Sequence, residues 1–246
     1  MTTSGTVVFN PDLNELIEES YERCGIEVRT GYEHRTARRS LNLMLTEWAN
    51  RGINLWTIEQ GQIALTTGTI TYALPVDTVD LVEHVVRTQT GIPQIDISIT
   101  RISFDTYATI PNKNAQGRPI QVWINRQSGQ TYPVGGRPNG ANPSTGVLPP
   151  SINVWPCPDQ DNYYTFVYWR LRRMQDAGEG TNVQDIPFRL INCLVSGLAY
   201  YIAIKIPEAA QRVPMLKQMY DEQLMLALDE DREKAPLRIA PRQMFF

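Results

Sequence analysis

The apolar residues of this chain change their spacing twice, from a helical period of about 3.6 to the strand period of about 2 and back again, which fixes the class of fold before any motif is considered. Helix-patterned segments at Asn10–Arg51 and Asp185–Arg232 bracket a middle rich in β-branched and aromatic residues. The pattern predicts an α+β protein: an antiparallel helical bundle interrupted by a β-sandwich or small β-barrel insertion, with an extended C-terminal arm. Residues 10–56 and 185–234 supply the two parts of the bundle, 57–174 the insertion, and 235–246 the arm.

Asn10 and Pro11 offer a helix cap and a first helical residue of fixed φ, after which Leu13, Leu16, Ile17, Tyr21 and Cys24 recur along one face until Gly25. Beyond the loop at Glu27–Gly31 a second stripe runs through Ala37, Leu41, Met44, Leu45 and Trp48 and stops at Gly52. These two helices are expected to pack as an antiparallel pair. Asp185 is placed to cap a later helix whose face carries Phe188, Ile191, Leu194, Val195, Leu198, Tyr201 and Ile202, with Pro207 ending it. Apolar side chains nearly surround the middle of that helix, so it belongs at the centre of the bundle. A last helix, with Pro214 in its first turn and Leu216, Tyr220, Leu224, Ala227 and Leu228 on one face, is expected to cover part of it.

In the middle, Thr69–Leu74, Leu81–Thr88, Ile95–Ile102, Ile120–Asn125, Ile152–Trp155 and Tyr163–Leu171 read as strands separated by Gly, Pro, Asn or Asp, consistent with an antiparallel sandwich or small barrel. Gln127–Pro150 is dominated by Gly, Pro, Asn, Ser and Thr and reads as a long exposed loop.

A net charge of −3 argues against whole-surface attraction to nucleic acid but leaves room for a local basic face. Cys24, Cys157 and Cys193 are odd in number and far apart, which argues against a disulfide framework and a zinc site alike and leaves reduced, partly buried thiols. Met1–Asn10 lacks the basic and apolar regions of a secretory signal, so synthesis in the cytoplasm is expected. The longest apolar stretch, Cys193–Ile204, is too short to cross a bilayer.

The chain offers little to chemistry. His34 and His84 sit in no metal-binding pattern, no GxSxG elbow accompanies the serines, and no cofactor or metal is expected. The enzymatic alternative is a cell-wall glycosidase working through paired carboxylates such as Glu18, Glu22 and Glu47, although helical carboxylates are ordinarily solvated. Another alternative is a carbohydrate-binding module using Tyr132 and Tyr163. Trp48, Trp56, Trp123, Trp155 and Trp169 fall on apolar faces, where core packing is the simpler reading than base or sugar stacking.

The stretches ELIEESYERCG at Glu15–Gly25 and TARRSLNLMLTEWANRGINLWTIEQ at Thr36–Gln60 carry a resemblance, as do the later VYWRLRRMQDAG and DIPFRLINCLVSGLAYYIAIKIP. With ALPVDTVDLVEHVVRT and NKNAQGRPIQVWINRQ they cover most of the chain, and together they resemble the head-to-tail adaptor, or connector, proteins of tailed bacteriophages. The resemblance implies a helical bundle with a β-rich insertion, assembled as a homo-oligomeric ring, commonly a dodecamer, at the head–tail junction of the virion. It also implies binding to the portal protein on one side and to tail tube, nozzle or tail-fibre proteins on the other. Packaged DNA would pass through the ring without sequence-specific binding, and no membrane is involved.

Two sets of residues are candidates for those contacts. In the arm, Pro236 and Pro241 oppose helix, Arg238 and Arg242 are cationic, and Leu237, Ile239, Met244, Phe245 and Phe246 are apolar anchors; the resemblance implies that such an arm docks into the portal. Arg35, Arg38 and Arg39 form one basic edge and Arg170, Arg172 and Arg173 another, facing an acidic partner or DNA. The plainer expectation is that these arginines pair with the chain's own carboxylates, including Glu18, Glu19 and Glu22.

Overall fold

The computed structural model describes residues 5, 9–89, 94–126 and 149–232. It divides into a helical unit, built from the described residues of 1–56 and 174–246, and a β unit at 57–173. The expected loop at 127–150, apart from its last two residues, and the whole arm at 235–246 lie outside the described residues.

In the helical unit, α1 (Leu13–Cys24) begins two residues later than the Asn10–Pro11 reading places it. Asp12 is the cap, because a carboxylate three residues before Glu15 closes a reciprocal box. Its Oδ1 accepts from the Glu15 N–H at 2.9 Å and the Glu15 carboxylate accepts from the Asp12 N–H at 3.2 Å. Thr30 and Glu33 build the same box at the start of α2 (Gly31–Arg51). Gly25 and Gly52 end the two helices in the left-handed conformation, at φ 77° and 84°.

The later helix also starts further on than expected. Phe188–Leu190 form a 3-10 turn, α4 spans Ile191–Ala203, and α5 spans Val213–Glu230 with Pro214 in its first turn. Asp185 does not cap α4: its carboxylate accepts from the Gln175 N–H at 3.3 Å and its carbonyl from the Trp56 indole at 2.9 Å. The tighter turn carries Phe188 off the apolar stripe, leaving it 78% exposed.

As its composition requires, α4 is the hub. It packs against α1, α2 and α5, whereas α1 and α2 touch one another little and meet mainly across it. The expected direct α1–α2 pairing is therefore a minor contact. Leu194, Leu198, Ala199 and Ile202 of α4 join Leu13, Ile17, Leu41, Met44 and Trp48 in one buried cluster, with Leu216, Tyr220 and Leu224 of α5 on its other side. Trp48 is fully buried and its indole N–H donates to the Tyr220 hydroxyl at 3.0 Å, satisfying both polar tips inside the core.

Among its described residues the β unit holds two four-stranded sheets. One has the order β1 (Ile58–Ala64), β8 (Tyr164–Arg172), β3 (Thr78–Thr88), β4 (Ile95–Ser98), antiparallel throughout. The other has the order β2 (Thr71–Ala73), β7 (Ser151–Trp155), β6 (Gln121–Asn125), β5 (Thr100–Arg101). A short helix, α3 (Phe104–Ala108), follows β5. Both sheets contribute to one apolar cluster, with Phe166, Leu81 and Val86 from the first and Ile152, Val154 and Val122 from the second. Among the described residues there is no closed barrel. The expectation of purely antiparallel pairing is also corrected, since β5 runs parallel to β6.

Against β8, β3 carries two register shifts, between Thr78 and Asp80 and between Leu81 and Glu83. Each inserts one residue and resets which side chains face inward, so Leu81 and His84 are both buried although three positions apart. His84 is thus a core residue rather than a solvated one, its ring stacked on Phe166 at 5.8 Å.

Candidate functional site

The first arginine edge lies on the outer face of α2. Arg35, Arg38 and Arg39 are all exposed, and among the described residues none of them forms an ion pair. Arg38 instead donates to the Gly178 carbonyl at 3.0 Å. Arg35 and Arg38 join His34 around a shallow hollow of about 210 Å³, walled by Leu13, Asn14 and Ile17 of α1. Arg39 does not line that hollow. Glu19, one of the carboxylates expected to neutralise these arginines, pairs with Arg23 on its own helix at 2.8 Å.

The second edge has a different character. Arg170 and Arg172 alternate along β8, so both project from one face toward Glu59, which lies opposite Arg170 in the β1–β8 register. Arg170 reaches Glu59 at 2.8 Å and Asp77 at 2.5 Å, and Arg172 reaches Glu59 at 2.6 Å. Burial works against the charge of Arg170, but Asp77 and Glu59 outweigh it and raise its pKa. Hydrogen bonding from Arg170 holds Asp77 below the usual carboxylate range. These two guanidinium groups are committed within the β unit, and Arg173 is the exposed member of the set.

Two apolar surfaces went unnoticed in the sequence. On α5, Met215, Met219 and Leu226 are exposed, and their spacing puts them on one face, about a third of a turn around the helix from the buried Leu216, Tyr220 and Leu224. Between α1 and the start of α4 runs a groove of about 580 Å³, floored by Leu16, Ile191 and Val195. Phe9, 75% exposed, and Phe188 stand at it, with Glu15, Glu19, Arg23 and Asn192 as its polar lining. An exposed phenylalanine looks like a core residue when only its spacing is known, which is how Phe188 escaped notice.

The enzymatic candidates do not gather into a site. Glu18 and Glu22 are exposed on α1, whereas Glu47 accepts from the Tyr201 hydroxyl and pairs with Arg51. Burial alone would raise the pKa of Glu47, yet Tyr201 and Arg51 reverse the effect and lower it, the wrong direction for a general acid. The three cysteines are buried and unpaired; burial pushes Cys24 up to about 11 and Cys193 up to about 12, far from a reactive thiolate. Among the described residues no cluster of His, Cys, Asp and Glu could hold a metal ion, and no helix is long and apolar enough to cross a membrane. Trp48 is core and Trp56 packs against it; Trp123 is half-buried against Tyr107 and Phe104, and half-buried Trp155 donates to the Asn112 carbonyl at 3.0 Å. Trp169 is half-buried too. Tyr163 meets Tyr164 edge-on at 4.9 Å, and Tyr132 lies outside the described residues.

The family model described as SU10 adaptor protein matches residues 13–240. The chain belongs to the SU10 adaptor protein family. No curated protein shows significant similarity to it. The match spans α1 through α5 and continues into the arm, so the resemblance seen in the sequence holds over most of the chain. An SU10 adaptor is a structural protein of the phage virion, which implies binding to other virion proteins and a non-enzymatic role.

Proposed function

We propose that this SU10 adaptor forms a homo-oligomeric ring at the head–tail junction, joining the portal protein to tail tube, nozzle or tail-fibre proteins around a passage for DNA. Family membership supports the adaptor role. The observation that favours an assembling ring is the exposed helical surface, apolar at Met215, Met219 and Leu226 and basic at Arg35, Arg38 and Arg39. Apolar faces on neighbouring copies would give side-to-side contact, repeated around a closed ring so that modest contacts add to a durable joint. The arginine edge would meet an acidic partner surface or the DNA backbone, neither of which needs base recognition. Leu237, Arg238, Ile239, Arg242, Met244, Phe245 and Phe246 would anchor the chain to the portal.

Imaging of purified portal mixed with this chain tests the proposal. A closed ring of added density on one face of the portal is the expected result, and it should vanish with a chain lacking 235–246. Portal particles left bare by the intact chain would refute it.

A further inference from the structure

The groove between α1 and α4 is apolar at its floor, aromatic at Phe9 and Phe188, and acidic along α1. We propose that before assembly it holds residues 235–246 of the same chain. The inference concerns the isolated chain and does not depend on what the segment later meets.

Position supports it first. The C-terminal half of α5 lies beside the groove: Glu230 is 3.9 Å from Arg189, the neighbour of Phe188, and Gln223 accepts from Asn192, a groove residue, at 2.8 Å. The chain leaves the described residues at Arg232, two residues beyond Glu230. Even the whole of 233–246, fully extended, reaches only about 45–50 Å, and the groove lies well within that span.

Chemistry supports it independently. The segment APLRIAPRQMFF has no acidic residue, two arginines, and Leu237, Ile239, Met244, Phe245 and Phe246 as large apolar groups. Pro236 and Pro241 favour an extended path, the shape a groove accepts. Facing it, α1 presents Glu15 and Glu19 against a single cation, Arg23, whose guanidinium is shared between Glu19 and the Ser196 hydroxyl at 2.8 Å. Arg238 and Arg242 therefore meet a lining with more carboxylates than cations while the apolar side chains cover Leu16, Ile191 and Val195. Because the segment is tethered, its effective concentration at the groove is of millimolar order, which favours the chain's own segment over one from a second copy.

Limited trypsin digestion of the full-length chain tests this. Cleavage after Arg238 and Arg242 should be about tenfold slower in the intact chain than in Phe188→Asp, independent of chain concentration, as a tethered occupant requires. Phe188 is exposed, so the variant should melt with the parent; if it does not, Glu19→Lys replaces it. Equal cleavage rates in chain and variant would overturn the proposal. Protection that disappears on dilution would also overturn it, by making a second copy the occupant. Portal capture is measured separately: protected arginines with no capture would sink the portal reading and leave the groove assignment standing.

Discussion

At Gly197 α4 comes close to Met44 and Tyr220, and replacing it tests how tightly the hub is packed. A methyl group there would press on the Met44 sulfur and lie 2.7 Å from Tyr220 Cε2 and 3.0 Å from Cδ2. Met44 can swing aside, since its thioether ends a flexible chain. Tyr220 cannot, because its hydroxyl is held by the Trp48 indole and its ring stacks on Tyr200 at 6.1 Å. Overpacking a tight core costs about 1–3 kcal/mol. Alanine returns about 1 kcal/mol of helix propensity. Gly197→Ala should therefore destabilise the helical unit by about 1 kcal/mol and Gly197→Val, bulkier and β-branched, by about 3 kcal/mol. Urea unfolding followed by tryptophan fluorescence measures this as a lower midpoint at unchanged slope. In a Tyr220→Leu background the overpacking should be relieved and Gly197→Ala should stabilise by about 1 kcal/mol, a coupling of about 2 kcal/mol. If Gly197→Ala raises the midpoint, helix propensity dominates and the close approach of α4 is not a packing constraint.

In the β unit, Gly61 faces Tyr168 across the β1–β8 pair with the ring laid over it, so Gly61→Val should destabilise that unit by about 2 kcal/mol, read as a lower urea midpoint, while Gly68→Ala, where a Cβ meets open space, costs only its backbone strain. Tyr220→Phe leaves the buried Trp48 N–H unpaired and should cost about 1–3 kcal/mol, whereas adding Trp48→Phe recovers part of the loss in a double-mutant cycle. Burial holds the pKa of His84 below the ordinary imidazole value, against the pull of Glu83. The unfolded chain therefore takes up its proton first as pH falls, and the stabilisation present above about pH 6.5 is lost on acidification; His84→Leu should flatten that part of the stability profile, read by urea melts at stepped pH. Charge reversal of Arg38 and Arg39 to Glu should abolish assembly on the portal with little change in melting temperature, and equal losses in both would return these residues to a purely structural role.

The helices were legible because their punctuation is chemical: Gly25, Gly52 and Pro214 mark the ends and first turn that spacing alone leaves vague. Misplaced starts have equally specific causes. Asn10–Pro11 is a good cap, but Asp12 has a glutamate three residues on and Asn10 does not. β1 was hidden by Gly61, which reads as a breaker until Tyr168 is seen to need the space, and α3 is too short for any period to register. The direction of β5 against β6 depends on how the chain returns, which no local residue specifies. At the candidate site, alternation along β8 was visible, yet the partners of Arg170 and Arg172 come from Glu59 and Asp77, about a hundred residues away, and sequence distance conceals them. Conversely, Arg35, Arg38 and Arg39 stay outside the ion-pair pattern expected of them, and Glu19 pairs instead with the nearer Arg23.

The insertion begins and ends on adjacent strands, with Ile58 of β1 standing opposite Leu171 of β8. Its two connections to the helical sequence thus emerge side by side, like the prongs of a plug. A recombination event could swap the whole cassette for another of the same gauge and ask the receiving bundle to close only a narrow gap.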